Sequence, residues 1–171
     1  MNLYSATVPQ FKRVLQNVER WLDKTEAFAA SKKFDPNTLL AARLAPDQFA
    51  LVRQIQSVCD QCKLTAARIA AKEPPKHPDT EQTFEELRKR LHSVIAYLDT
   101  FEPADFEGAA ERLISLPFFP EGKAMTGADY LVERQLPNVY FHASMTYAIL
   151  RHNGVDLGKG DFIGQVSYRD K

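Results

Sequence analysis

One histidine, His142, has neighbours in the sequence that could support metal or ligand chemistry. It lies on a stripe of helical spacing with Leu131, Asn138, Met145 and Ile149, and that stripe is mostly apolar. Asn138 precedes His142 by four residues, so both side chains would project from the same face of a helix. Inside a helical bundle they could ligate one cation or hold one polar ligand. The spacing alone favours a simpler alternative, a buried histidine that is hydrogen-bonded to Asn138, a tyrosine or a main-chain carbonyl, because one histidine does not make a metal site.

A second polar pair, Gln56 and Asp60, is also spaced by four residues, beside an apolar stripe. These side chains could point towards the bundle interior, although a solvated face is the more common outcome for such a pair. The candidate ligand-binding pocket therefore contains His142, Asn138, Gln56 and Asp60. His142 is the candidate metal ligand within it.

Cys59 and Cys62 form a CxxC pair, and two thiolates at this spacing could share a metal ion or a disulfide. Both cysteines fall on an apolar stripe, however, and the chain has no second cysteine pair. Free cysteine is among the most buried residue types. We therefore predict that both side chains are buried as small apolar groups.

The other histidines suggest simpler roles. His152 falls in the last turn of a predicted helix, where a partial positive charge favours the helix dipole. His77 lies in a proline-rich linker and His92 lies beside an apolar stripe, so both are expected to be solvated. The chain contains no nucleotide-binding glycine loop, GxSxG elbow or HExxH motif.

The composition is that of an ordinary globular protein, and we expect one domain over residues 1–171. Acidic and basic residues are matched at 22 each, which gives no electrostatic reason to bind nucleic acid or an anionic membrane. The N-terminus lacks the pattern of a secretory signal, and no apolar run approaches the roughly 20 residues that span a bilayer. The cytoplasm is the expected location.

Three long amphipathic helices are predicted from apolar residues that recur in steps of three and four. The first should run from about residue 8 to 31, the second from about 47 to 72, and the third should begin near 79 to 83. Thr83 and Glu86 match a capping box at that start. A short connecting helix is predicted after Asp35 and Pro36, because an N-cap residue followed by proline is typical of a first helical turn.

A fourth helix is predicted from Thr126 to about His152, after a small β-hairpin. The preceding stretch, ERLISLPFFPEGKAMTG, alternates polar and apolar residues around a Pro-Glu-Gly turn. Pro137 predicts a kink or a short break, and Asn153 with Gly154 marks the end of the helix. The glycine-rich tail should pack as an irregular strap. The predicted fold is therefore a mainly all-α four-helix bundle with a short connecting helix and a β-hairpin before helix 4.

Three segments resemble one known family over nearly the whole chain: LPNVYFHASMTYAILRHNGVDLGKGDFIG, QIQSVCDQCKLTAARIA and GADYL. They are similar to proteins grouped as domain of unknown function family 1993, which is placed with the DinB/YfiT-like helical bundles. The resemblance implies a DinB-like fold that is often homodimeric. It also implies a divalent metal held by three histidines, one on helix 2 and two spaced by four residues on helix 4. Members include thiol-dependent transferases and hydrolase-like proteins.

The three-histidine pattern is incomplete in this chain. His142 matches the second position on helix 4, but Asn138 occupies the first, and helix 2 offers Gln54, Gln56 or Asp60. Amide oxygens are weaker ligands than imidazole for zinc or nickel. The leading hypothesis is therefore a DinB-like bundle with a polar interior pocket that binds a small molecule and no intact three-histidine site. A metal-dependent thiol transferase or hydrolase and a structural or stress-related dimer without an active site are the alternatives.

Overall fold

Four long helices pack side by side in the computed structural model, which describes residues 2–170. They are α1, Leu3–Lys32; α2, Leu51–Ala70; α3, Phe84–Leu98; and α4, Leu136–His152. α1 and α2 each pack against the other three long helices, so α3 and α4 occupy opposite corners. The predicted all-α four-helix bundle is confirmed. No helix within residues 2–170 is both long and apolar enough to cross a bilayer.

The boundaries of the first two helices differ from their predicted positions. α1 begins at Leu3 rather than near residue 8, because Asn2 and Ser5 form a capping box that starts the helix before the apolar stripe does. α2 begins at Leu51 rather than near residue 47. The capping box of α3 is confirmed, with Thr83 and Glu86 each bonding to the backbone of the other.

The core is one continuous cluster of buried residues drawn from all four long helices. Cys59 and Cys62 belong to it, with no exposed surface, and both are free thiols. The prediction of two buried cysteines is confirmed. Burial raises the pKa of Cys59 to about 12 and also raises the pKa of Cys62. Both thiols are therefore protonated at neutral pH, as expected of cysteines that pack as small apolar groups.

The connections also follow the predicted order. A 3₁₀ helix at Pro36–Ala41 joins α1 to α2 and begins at the Asp35 cap. A small antiparallel hairpin pairs β1, Leu113–Ile114, with β2, Met125–Thr126, in the register that places Leu113 opposite Thr126. The predicted hairpin before helix 4 is confirmed.

The fourth helix is interrupted, as Pro137 predicts. A helical turn at Gly127–Asp129 leads into a π-helical segment, Tyr130–Gln135, and α4 follows directly. Proline has no amide proton to donate to the preceding turn. The wider π geometry lies where that backbone hydrogen bond is missing.

The tail contains a short helix that the sequence pattern did not predict. This helix, α5 at Lys159–Ile163, replaces part of the expected irregular strap. The Asp161 carboxylate accepts a hydrogen bond from the Gly158 backbone amide at 2.8 Å and caps the first turn. A helix of about one turn is too short to show helical periodicity. The glycine-rich composition of the tail therefore gave no indication of it. α5 packs against α1, where the Trp21 indole donates to the Asp161 carbonyl oxygen at 3.1 Å.

Candidate functional site

His142 is half-buried on α4 and contacts α2 through its ring. Its Nδ1 lies 2.8 Å from Oε1 of Gln54, a side chain that is only 1% exposed. The Gln54 amide nitrogen donates to the Phe49 carbonyl oxygen at 3.3 Å, so the amide oxygen must face His142. An amide oxygen only accepts, so Nδ1 of neutral His142 carries the proton. Nε2 then carries the lone pair, and it has no hydrogen-bond partner within residues 2–170.

Two aromatic rings lie close to the His142 imidazole. The Phe49 ring is nearly parallel to the imidazole with 6.3 Å between centroids, and the Phe141 ring meets it edge to face at 5.3 Å. Both phenylalanines are about half exposed. Burial lowers the pKa of His142, and the positive charge of Arg53 lowers it further. His142 is therefore neutral at pH 7, when Nε2 can accept a hydrogen bond.

The structure does not bring all four predicted site residues together. Asn138 makes no hydrogen bond to His142 in the described part of the chain, and Gln54 takes that role. Gln56 donates to a Glu81 oxygen at 2.9 Å, and Asp60 pairs with Arg90 at 2.7 Å. Residues 54 and 56 are separated by about 200° around a helix, so Gln54 faces α4 while Gln56 faces α3 and the linker before it.

Arg90 is the centre of this second polar cluster, and its side chain is 1% exposed. It pairs with Asp60 at 2.7 Å and with Asp79 and Glu81 at 3.0 Å each. Burial lowers the pKa of Arg90, but the hydrogen bond to Glu81 and the charge of Asp60 outweigh burial and raise it. Arg90 therefore stays charged and fastens the proline-rich linker to α2 and α3. Arg90 was not predicted from the sequence, although its position beside the apolar stripe of α3, three residues after Leu87, could have indicated a buried cation.

His77 is also part of this region, whereas the sequence predicted a solvated side chain. His77 is partly buried and has two side-chain partners. Nζ of Lys63 lies 2.9 Å from its Nδ1, and Oγ of Ser93 lies 2.9 Å from its Nε2. An ammonium group only donates, so Nδ1 must accept and Nε2–H must donate to Ser93. Burial and the charge of Lys63 lower the pKa of His77. In this tautomer His77 cannot take a proton from Ser93, so the arrangement does not activate a serine nucleophile.

The remaining histidines lie at the surface. His92 is exposed and pairs with Glu19 on α1. His152 is exposed in the last turn of α4, the position that favours a partial positive charge.

The side chains near His142 that could ligate a metal are amides, not the two further imidazoles of a three-histidine site. Gln54 faces His142 from α2, and Asn138 stands one helical turn before it. Within residues 2–170 no three side chains of His, Cys, Asp or Glu lie together in a group that could hold a metal ion. Zinc and nickel prefer imidazole or thiolate to amide oxygens.

Comparison with known proteins identifies the family. The model of Domain of unknown function (DUF1993) matches residues 3–163. The chain belongs to this family. A crystal structure of a DinB family member protein from Shewanella denitrificans shares 47% sequence identity, with a TM-score of 0.95, and the match covers 99% of this chain and 96% of that one. Comparison with curated proteins gives no match. The predicted DUF1993 membership and the DinB-like fold are confirmed.

The lowered pKa of His142 predicts how the stability of this DUF1993 chain depends on pH. Between the folded pKa and the ordinary value of 6.5, the unfolded chain binds a proton that the folded chain does not. The free energy of unfolding contributed by His142 therefore decreases as pH falls through this window. Urea unfolding at about pH 7.5 and about pH 5.5 measures the change. The wild type should lose more stability than His142→Gln, and equal losses would contradict the prediction. His77 also has a lowered pKa, but it is present in both proteins, so its contribution cancels when their losses of stability are compared.

Proposed function

We propose that this chain binds a small planar organic molecule at the surface between α2 and α4, and that the molecule donates a hydrogen bond to Nε2 of His142. The observation that carries the proposal is the fixed orientation of the Gln54 amide. It holds the proton on Nδ1 and leaves the Nε2 lone pair available at neutral pH. A second group that fixes the tautomer of a histidine is typical of histidines with a chemical role.

The residues around His142 indicate what kind of molecule would fit. Phe49 and Phe141 are each about half exposed and offer aromatic surface next to the imidazole. Aromatic contacts contribute about 0.5–1.5 kcal/mol each beyond burial, and a neutral hydrogen bond adds a similar amount. The Arg53 guanidinium lies over the Phe49 ring at 5.6 Å and already has a carboxylate partner in Asp79, so an anionic ligand is not needed to pair with it. The expected ligand is therefore neutral and aromatic, with an N–H or O–H donor.

Nuclear magnetic resonance of protein with ¹⁵N-labelled histidine tests this proposal. We expect His142 to show the tautomer protonated on Nδ1, and added phenol to shift its Nε2 resonance in a saturable way. In uniformly ¹⁵N-labelled protein, His142→Ala should also abolish the saturable shifts that phenol causes in the backbone amides of α2 and α4, while His152→Ala, a change to an exposed histidine on the same helix, should preserve them. A proton on Nε2 of the wild type, or backbone amide shifts that survive in His142→Ala, would refute the proposed site.

A metal-dependent transferase or hydrolase is the alternative that the resemblance implies. Metal analysis of protein purified without a histidine tag or chelator distinguishes it. Near-stoichiometric zinc or nickel that disappears in His142→Ala, with the fold intact, would favour this enzyme and overturn the binding proposal.

Self-association is a second candidate function, because the same aromatic side chains would suit an interface between two copies. Phe49, Phe141 and Val132 are exposed by 49%, 50% and 60% respectively. Apolar surface of this kind often marks protein contacts. Sedimentation over a range of protein concentrations tests it: a dimer that dissociates in Phe141→Lys would support a homodimer, whereas a monomer throughout would exclude this candidate.

A further inference from the structure

Two neighbouring cavities on a different face of the bundle share the side chain of Arg13. The first has a volume of about 310 Å³ and lies between α1 and the segment that follows α5. It is lined by three basic side chains and by polar groups, without any carboxylate: Lys12, Arg13, Arg20, Gln16, Gln165 and Ser167 contribute. A concave site with one sign of charge concentrates ligands of the opposite sign.

The positive charge of this cavity is only partly balanced. Lys12 is paired with Asp99, and Arg20 donates to the neutral amide oxygen of Asn17. Arg13 has no hydrogen-bond or ion-pair partner within residues 2–170. The Asp161 carboxylate, which pairs with Lys24, lies near enough for Arg20 to lower its pKa. Neither Arg13 nor Arg20 forms a direct ion pair within residues 2–170, and Arg13 is the less compensated of the two.

The second cavity is mainly apolar and continues from the first across Arg13. Its volume is about 240 Å³, and Val14, Tyr140, Phe162 and Ile163 line it together with Arg13. Tyr140 and Ile163 are exposed by 39% and 47%, so apolar surface is open to a ligand there. Arg13 therefore lies at the boundary between the first, basic cavity and the second, apolar cavity.

The α5 wall of the second cavity is held in place by specific contacts with α1. The Asn17 amide nitrogen donates to the Phe162 carbonyl oxygen at 2.8 Å, and the Trp21 ring stacks on the Phe162 ring with 5.7 Å between centroids. Gly164 has a φ of 71°, and a Cβ at this position would lie 2.1 Å from Asn17 Oδ1. Residues 162–164 are therefore fixed against α1 before any ligand arrives, which reduces the entropy lost on binding.

We propose that these two cavities bind a small phosphate ester with an aromatic or aliphatic body. The phosphate would occupy the first cavity and accept hydrogen bonds from Arg13 and Arg20, because guanidinium groups match phosphate oxygens in pairs. The body would occupy the second cavity against Tyr140 and Phe162. This site shares no residue with the surface around His142, so it stands independently of the function proposed above.

Titration of the ¹⁵N-labelled full chain with phenyl phosphate, inorganic phosphate and phenol tests the proposal. We expect saturable shifts in α1 and α5, and an affinity for phenyl phosphate about tenfold above that for inorganic phosphate. Arg13→Gln should weaken both phosphate ligands by about tenfold. Lys32→Gln, the same loss of charge on α1 outside both cavities, should leave them unchanged. Tyr140→Ala should weaken phenyl phosphate alone.

Each competing result has a clear meaning. No saturable binding, or equal affinities in wild type and Arg13→Gln, would overturn the site. Equal affinities for phenyl phosphate and inorganic phosphate would overturn the proposed ester. Binding that is lost in His142→Ala but retained in Arg13→Gln would place the ligand at the other surface and also overturn this proposal. Arg13 and Tyr140 lie at the surface, so both variants should keep the circular dichroism spectrum of the folded chain.

Discussion

Replacing Arg90 with alanine should lower the free energy of unfolding by about 3–5 kcal/mol. The guanidinium is almost completely buried, and three carboxylates from α2 and the linker point at it. Removal of the cation leaves Glu81, whose side chain is 11% exposed, and Asp60, at 22%, close together without their shared partner. Breaking a buried pair by removing one member is costly for this reason, even where the intact pair contributes little.

Arg88 on the same helix provides the matched control. Its side chain is 20% exposed, and its partners, Asp23 and Glu26, are 61% and 43% exposed. Ion pairs this close to solvent contribute about 0–1 kcal/mol, so Arg88→Ala should be far milder in urea unfolding. Adding Glu81→Gln to Arg90→Ala should recover part of the loss, because it removes one uncompensated charge. Similar losses in the two single variants would show that burial does not strengthen the Arg90 cluster.

Replacing Trp21 with alanine should cost about 3–5 kcal/mol as well, through a different mechanism. The indole is 1% exposed and packs against both Tyr147 of α4 and Phe162 of α5. Truncation removes this apolar contact area, opens a cavity and leaves the Asp161 carbonyl oxygen without its donor. α5 should then detach from α1 before the bundle unfolds.

Urea unfolding followed by circular dichroism gives the loss of stability, and hydrogen exchange of the α5 amides tests for local detachment. Val166→Ala, a change at a residue that is 37% exposed in the same tail, should leave both measurements close to wild type. If α5 stays protected in Trp21→Ala, the stacking on Phe162 is not what holds it.

Helical periodicity was sufficient to predict the bundle because the long helices bury continuous apolar stripes. Local hydrogen-bonding signals added the capping box at Thr83 and the interruption at Pro137. The start of α1 at Leu3 was not predicted, since its cap lies outside the apolar stripe, and α5 is too short to have a period.

The site was harder to predict because it depends on which face of α2 meets each neighbouring helix. The spacing of Gln56 and Asp60 indicated that they share a face, but not that this face meets α3 and the linker rather than α4. Gln54, one of three alternatives on helix 2, proved to be the partner of His142. The cytoplasmic location, the homodimer and the small-molecule ligand stay predictions.

Trp21 is the one tryptophan in the sequence, and it lies where α1, α4 and α5 meet. When tryptophan is excited selectively over the six tyrosines, the fluorescence of the chain therefore originates entirely at that junction. Because Phe162 both stacks on this indole and lines the apolar cavity beside Arg13, the chain contains a built-in optical reporter. Movement of the tail and occupation of that cavity can be followed in the unmodified protein, without an added dye or label.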